Sequence, residues 1–182
     1  MFKQFFIIFC LVVLIISCQP TEIPELTDAQ RQAIANEIRQ IYQDMMERAK
    51  NINEETFNKG LEMVVESNDE SWLGNPAIWV SRLQIIPTKE EMDKLWRPII
   101  GRRASDEREM MDDYVAVLSP NHAIHVLKAK SILTSREGNI IENLMTATTV
   151  YVKRNGEWKI LHYHQSFMRA PQETQTEKEA EK

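Results

Sequence analysis

The stretch Val150 to Met168, VYVKRNGEWKILHYHQSFM, decides the reading of this chain. Val150, Tyr151 and Val152 give β-branched and aromatic strand character, and Asn155-Gly156 supplies a turn that tolerates positive φ. From Trp158 to Met168 no glycine or proline interrupts pairing, so the stretch reads as a β-hairpin with a long second arm. Strict alternation along that arm puts His162 and His164 on one face with Trp158, Ile160 and Ser166, and leaves Leu161, Tyr163 and Gln165 on the other.

Upstream, Glu107 to Leu118, His122 to Thr134 and Ile140 to Lys153 are three more strand-like runs, broken at Ser119-Pro120-Asn121 and Ser135 to Asn139. Together with the closing arm they read as an antiparallel meander. Ile124, Val126 and Ile132 fall on one parity, Leu127, Ala129 and Leu133 on the other, so both faces of the sheet call for cover. Helices can cover one face, and the other is left in need of a cover of its own.

Helical periodicity fills the first half. Thr27 or Asp28 caps a helix reaching about Lys50, with Ile34, Ile38, Ile41, Met45 and Ala49 on its apolar face. Asn53, with Thr56 three positions on, caps a shorter helix carrying Phe57, Leu61, Val64 and Val65. Ala77 to Ile86 reads as a short strand pair bent near Ser81-Arg82. A third helix opens at Thr88, has Met92, Leu95, Trp96 and Ile99 on one side, and is limited by Pro98. Met45, Met46 and Met63 read as core filler rather than as a ligand wall.

The ends have a different character. Phe5 to Ile16 is an apolar run too short to span a bilayer, preceded by Lys3, and it reads as an export signal over residues 1–17. Ile15-Ile16-Ser17-Cys18 resembles the lipobox of bacterial lipoproteins. That resemblance implies a lipid on Cys18, attachment to a membrane in the bacterial cell envelope and, since Gln19 and not Asp follows, the outer membrane. Residues 18–25 then form a tether, 26–169 the domain, and 170–182 a polar tail that cannot bury enough surface to order itself. Of the two cysteines, Cys10 lies in the leader and Cys18 at the lipid site, which excludes a disulfide in the mature domain. A formal charge of −5 with no basic stripe speaks against nucleic acid as a partner.

The pattern Asn-Gly-x-Trp-x-Ile-x-His-x-His-x-Ser resembles the closing strands of nuclear transport factor 2-like domains, and within them the SnoaL-like branch that includes the association domain of calcium/calmodulin-dependent protein kinase II. The resemblance implies an α+β cone in which a curved antiparallel sheet packs against N-terminal helices, a homodimer, and a pocket between helices and sheet. It also implies a pocket lining. Positions that are arginine in the association domain fall at Lys128, Thr149 and Gln165, with Tyr163 between them on the sheet. Only Lys128 keeps a charge, so a small apolar or weakly anionic ligand is expected. Trp79 and Trp96, in the segment that closes the mouth of the cone, are the aromatic wall candidates, and Tyr114 is a further candidate for the site.

For chemistry, the His162-x-His164 pair could ligate a metal but has no third ligand at a telling spacing, so neither metal nor cofactor is expected. Asp112, Asp113, Tyr114 and Tyr163 are the candidates for cofactor-free acid–base work of the SnoaL-like kind: isomerisation, cyclisation or dehydration. Such work needs a carboxylate held in an apolar pocket. No serine triad or phosphate-binding loop is present. Two readings result: a non-catalytic, lipid-anchored dimeric binding module, and a small enzyme of this kind whose catalytic residues the sequence does not settle.

Overall fold

The computed structural model describes residues 25–64, 78–81, 84–86 and 88–169, with backbone only at 78–81, 84, 85 and 169. The expected export signal, most of the expected tether, the expected tail and the side chain of Trp79 lie outside the described residues.

Helix α1 (Asp28–Ala49) begins where expected: Thr27 accepts from the Gln30 backbone amide while the Gln30 side chain accepts from the Thr27 amide. This reciprocal cap satisfies two donors that a helix start otherwise leaves bare. Asn53 and Thr56 repeat the device at α2 (Glu54–Glu62), and Thr88 caps α3 (Lys89–Ile100) through the Glu91 amide. Pro98 sits inside the last turn of α3, which ends two residues later. The Arg97 side chain bridges Glu54 and Asp93 and lies over the Phe57 ring, which ties α2 to α3.

A six-stranded sheet runs in the order β2-β1-β6-β5-β4-β3. Its strands are β1 (Ile78–Ser81), β2 (Gln84–Ile86), β3 (Arg103–Ser119), β4 (His122–Ser135), β5 (Ile140–Arg154) and β6 (Glu157–Arg169). The four long strands form the antiparallel meander, and short β1 joins parallel to β6. Asn155 and Gly156 both have positive φ, 51° and 85°, the backbone that an Asn-Gly hairpin turn supplies without strain. This is the α+β arrangement of helices on an antiparallel sheet.

One face of the sheet is covered by α1. Ile38 and Tyr42 are buried against Ala123, Leu127, Ala129, Met145 and Ala147 of the sheet's inner face. Burying an isoleucine such as Ile38 is worth about 1.5–3 kcal/mol, so the α1 stripe is a main anchor of the helix. At the hairpin end the Trp158 indole N–H and Lys153 both donate to Glu37, at 2.8 and 3.1 Å.

Two bulges correct the strict alternation read from the sequence. Val150 pairs with His162 but Tyr151 pairs with Ile160, so Leu161 is an extra residue in β6. Each bulge flips the parity of the residues beyond it. Trp158 and Ile160 therefore share the inner face with Tyr163 and Gln165, while His162, His164 and Ser166 point to the outer face and are not neighbours of Trp158. In β3, Met110 pairs with Ala129 and Asp112 with Lys128, leaving Met111 extra. Asp112 is thereby turned outward and Asp113 inward.

Candidate functional site

A cavity of about 290 Å³ opens between the end of α1, helices α2 and α3, and the inner face of the sheet. At about 30 Å³ per water, it has room for roughly ten waters or a ligand of similar size. Its walls are mainly apolar and come from the helix faces that the periodicity marks: Phe57 and Leu61 of α2, Leu95, Trp96 and Ile99 of α3, with Arg48 and Arg103 also in the lining. Met45 packs against the core cluster and also lines the cavity. The end of α2 is tacked to the sheet by the Ile160 amide, which donates to the Met63 carbonyl at 2.6 Å.

The floor is polar. Asp106 and Arg108 of β3 and Gln165 of β6 face the cavity. Arg108 Nη2 donates to Asp106 Oδ2 at 2.8 Å and its Nε to Oδ1 at 3.3 Å, with the two side chains 12 % and 11 % exposed. Ser131, fully buried, donates to Asp106 at 3.1 Å. Arg108 reaches the Tyr163 hydroxyl at 3.4 Å, and that hydroxyl donates to Gln165 Oε1 at 3.0 Å. Burial works against the Arg108 charge, but the Tyr163 hydroxyl and the Asp106 carboxylate outweigh it and hold the guanidinium's pKa well above its ordinary value. The result is a matched ion pair in a low-dielectric floor.

Deeper in the core lies a second group. His125, with no exposed surface, stands 3.3 Å from Asp113 Oδ2 in a contact without hydrogen-bond geometry. Asp113 instead accepts from Arg39 Nε at 2.7 Å. Burial pushes the His125 pKa down against the pull of Asp113, so the imidazole is held neutral. Tyr42 meets its ring edge-on, with centroids 5.3 Å apart. The phenols of Tyr42 and Tyr151 are pushed above their ordinary range by burial. None of these five side chains lines the cavity.

Several expected site residues fall elsewhere. Lys128 is exposed on the outer face, paired in register with Thr146 and Asp112, whereas Thr149, Tyr163 and Gln165 are buried on the inner face. The four do not share a cavity, because Lys128 differs in parity from the buried Leu127 and Ala129 beside it. The register that carried Lys128 over is therefore wrong at that strand. Tyr114 also points outward, 67 % exposed. Thr149 and Tyr163 form a cross-strand pair on the inner face without lining the cavity. Trp96 and Gln165 do line it. Asp106 and Arg108 escape the sequence reading: its strand-like run begins only at Glu107, which leaves Asp106 out, and Arg108, inside the run, was not singled out. The available signal is two opposite charges on one parity of a strand whose inner face has to be buried. Among the described residues no three His, Cys, Asp or Glu side chains are grouped to hold a metal.

No curated protein matches the sequence significantly. Among solved structures the fold is similar to the association domain of C. elegans CaMKII, at 14 % identity and a TM-score of 0.56, covering 77 % of this chain and 99 % of that one. It is also similar to the hexachlorocyclohexane dehydrochlorinase LinA-type3 from Novosphingobium barchaimii LL02, at 16 % identity and 0.55, covering 80 % and 95 %. An NTF2-like protein from Pseudomonas putida KT2440 matches at 17 % identity and 0.55, covering 80 % and 92 %. At such identities the likeness establishes the nuclear transport factor 2-like fold. The model of the SnoaL-like domain matches residues 77–170, just over half of the 182-residue chain and the whole of the sheet, so the chain belongs to the SnoaL-like domain family.

Proposed function

We propose that this protein is a lipid-anchored, dimeric module that holds a small, mainly apolar ligand in its cone-shaped cavity and does no chemistry on it. One observation carries the reading. Asp106 is the one carboxylate among the described residues lining the cavity, and it is already engaged by Arg108 and Ser131. A carboxylate so matched is a poor general base, since accepting a proton would abandon a buried guanidinium. The acid–base candidates Asp112, Asp113, Tyr114 and Tyr163 are absent from that lining. Apolar walls with a few convergent polar groups are the ordinary make-up of a small-ligand site. Neighbours of this fold include a dehydrochlorinase and an association domain, so the fold itself does not choose between catalysis and binding.

Gly60 provides the test. It lies in α2 and lines the cavity, and a Cβ built on it meets nothing within 4 Å. Gly60→Phe should fill the cavity from the wall while relieving the helix of a glycine that costs roughly 0.5–1 kcal/mol. With octan-1-ol as probe, calorimetric titration is expected to show binding to the native protein and at least tenfold weaker binding to the variant, with no loss of thermal stability. Equal affinity in both proteins would contradict the reading. The anchor rests on Cys18: Cys18→Ala is expected to move the protein from the membrane to the soluble fraction or leave it uncleaved, and unchanged membrane partitioning with unchanged mass would contradict it.

A further inference from the structure

The cavity is asymmetric in charge, and the asymmetry orients a ligand. At its floor the Arg108 charge is cancelled by Asp106 at 2.8 Å, so an anion placed there would gain an arginine and meet a carboxylate at the same distance scale. Along its helical wall stands Arg48, in the last turn of α1, half-buried and lining the same cavity. Its one hydrogen-bond partner among the described residues is the Met63 thioether at 3.2 Å, a weak acceptor, and no carboxylate among the described residues pairs with it. Arg103, at the start of β3, also lines the cavity, with its guanidinium 5.3 Å above the Trp96 ring. Two arginines thus stand at partly exposed positions, and the apolar residues Leu61, Leu95 and Phe167 line the remaining space.

We infer that the ligand is a single-chain amphiphile with an anionic head, bound with the head at Arg48 and the chain turned into the apolar cavity. This rests on the binding reading given above and adds the ligand's chemical class and its direction. The inward chain avoids the Asp106 carboxylate, and the outward head keeps part of its hydration while gaining a planar, bidentate partner. A cavity with room for roughly ten waters at about 30 Å³ each sets the size at a medium-length chain.

Octanoate and octan-1-ol, which differ in the charged head, are the probes. Octanoate is expected to bind the native protein more tightly than octan-1-ol. Arg48→Met, which keeps the length and apolar stem of the side chain, should weaken octanoate about tenfold, the scale of one charge-assisted hydrogen bond, and leave octan-1-ol within twofold. Octanoate affinity unmoved by Arg48→Met would overturn the orientation. Octan-1-ol binding with no preference for octanoate would overturn the ligand class and leave the cavity reading standing. Failure of both probes to bind would overturn both.

Discussion

Replacing Asp106 by alanine is expected to lower the stability of the fold by about 3–5 kcal/mol, the cost of leaving one member of a buried ion pair without its partner. The loss comes less from the missing attraction than from what remains. Arg108 would keep its charge in a site where its side chain is 12 % exposed, with Tyr163 as its nearest remaining hydrogen-bond partner at 3.4 Å. The Ser131 hydroxyl, fully buried, would lose its acceptor as well. The double variant Asp106→Leu with Arg108→Met removes both charges and is expected to recover most of the loss, since apolar replacement of a buried pair is often neutral or better. Urea unfolding of the three proteins at neutral pH checks this. A loss under about 1 kcal/mol for the single variant would place the pair among exposed ion pairs, and the argument that Asp106 is too committed to act as a base would fall with it.

The second large effect concerns the outer face of the sheet. Val126 lies there in register with Tyr114, Thr148 and His164. Val126 is 42 % exposed, and Tyr114, Leu118 and Met168 are exposed further. A strand carrying Leu127 and Ala129 inward and Ile124 and Val126 outward has two apolar faces, of which α1 covers one. A second copy of the chain is the proposed cover for the other. Val126→Glu would place a charge of the same sign on both copies at that contact, where burial without a partner is costly. Sedimentation at micromolar concentration is expected to show a dimer for the native protein and a monomer for the variant, with α-helix and strand content unchanged. A native protein that sediments as a monomer would contradict the second copy.

Much of this architecture was legible because it rests on local chemistry. Asn155-Gly156 supplies a backbone few other pairs tolerate, and the Thr27/Gln30 and Asn53/Thr56 pairs close both helix starts by reciprocal hydrogen bonds. The face assignments were less legible, because a bulge changes parity without changing composition. Even so, β6 carries a trace of it: its apolar residues switch from Trp158 and Ile160 to Tyr163 and Phe167 across Leu161. The site was legible only in part. Trp96 and Gln165 were reached through the resemblance, whereas Lys128 was misplaced because a register error of one residue moves a side chain to the opposite face. Asp106 and Arg108 depend on a third residue, Ser131, brought from β4 by strand pairing that no local pattern specifies.

The measurement that bears most directly on the cavity is a methyl-group NMR titration of the native protein with octan-1-ol. Leu61, Leu95, Ile99 and Leu133 line the cavity, while Val126 and Ile140 are exposed on β4 and β5. Saturable shifts confined to the first group are the expected result. Shifts confined to Val126 and Ile140, or none that saturate, would contradict a ligand held between the helices and the sheet.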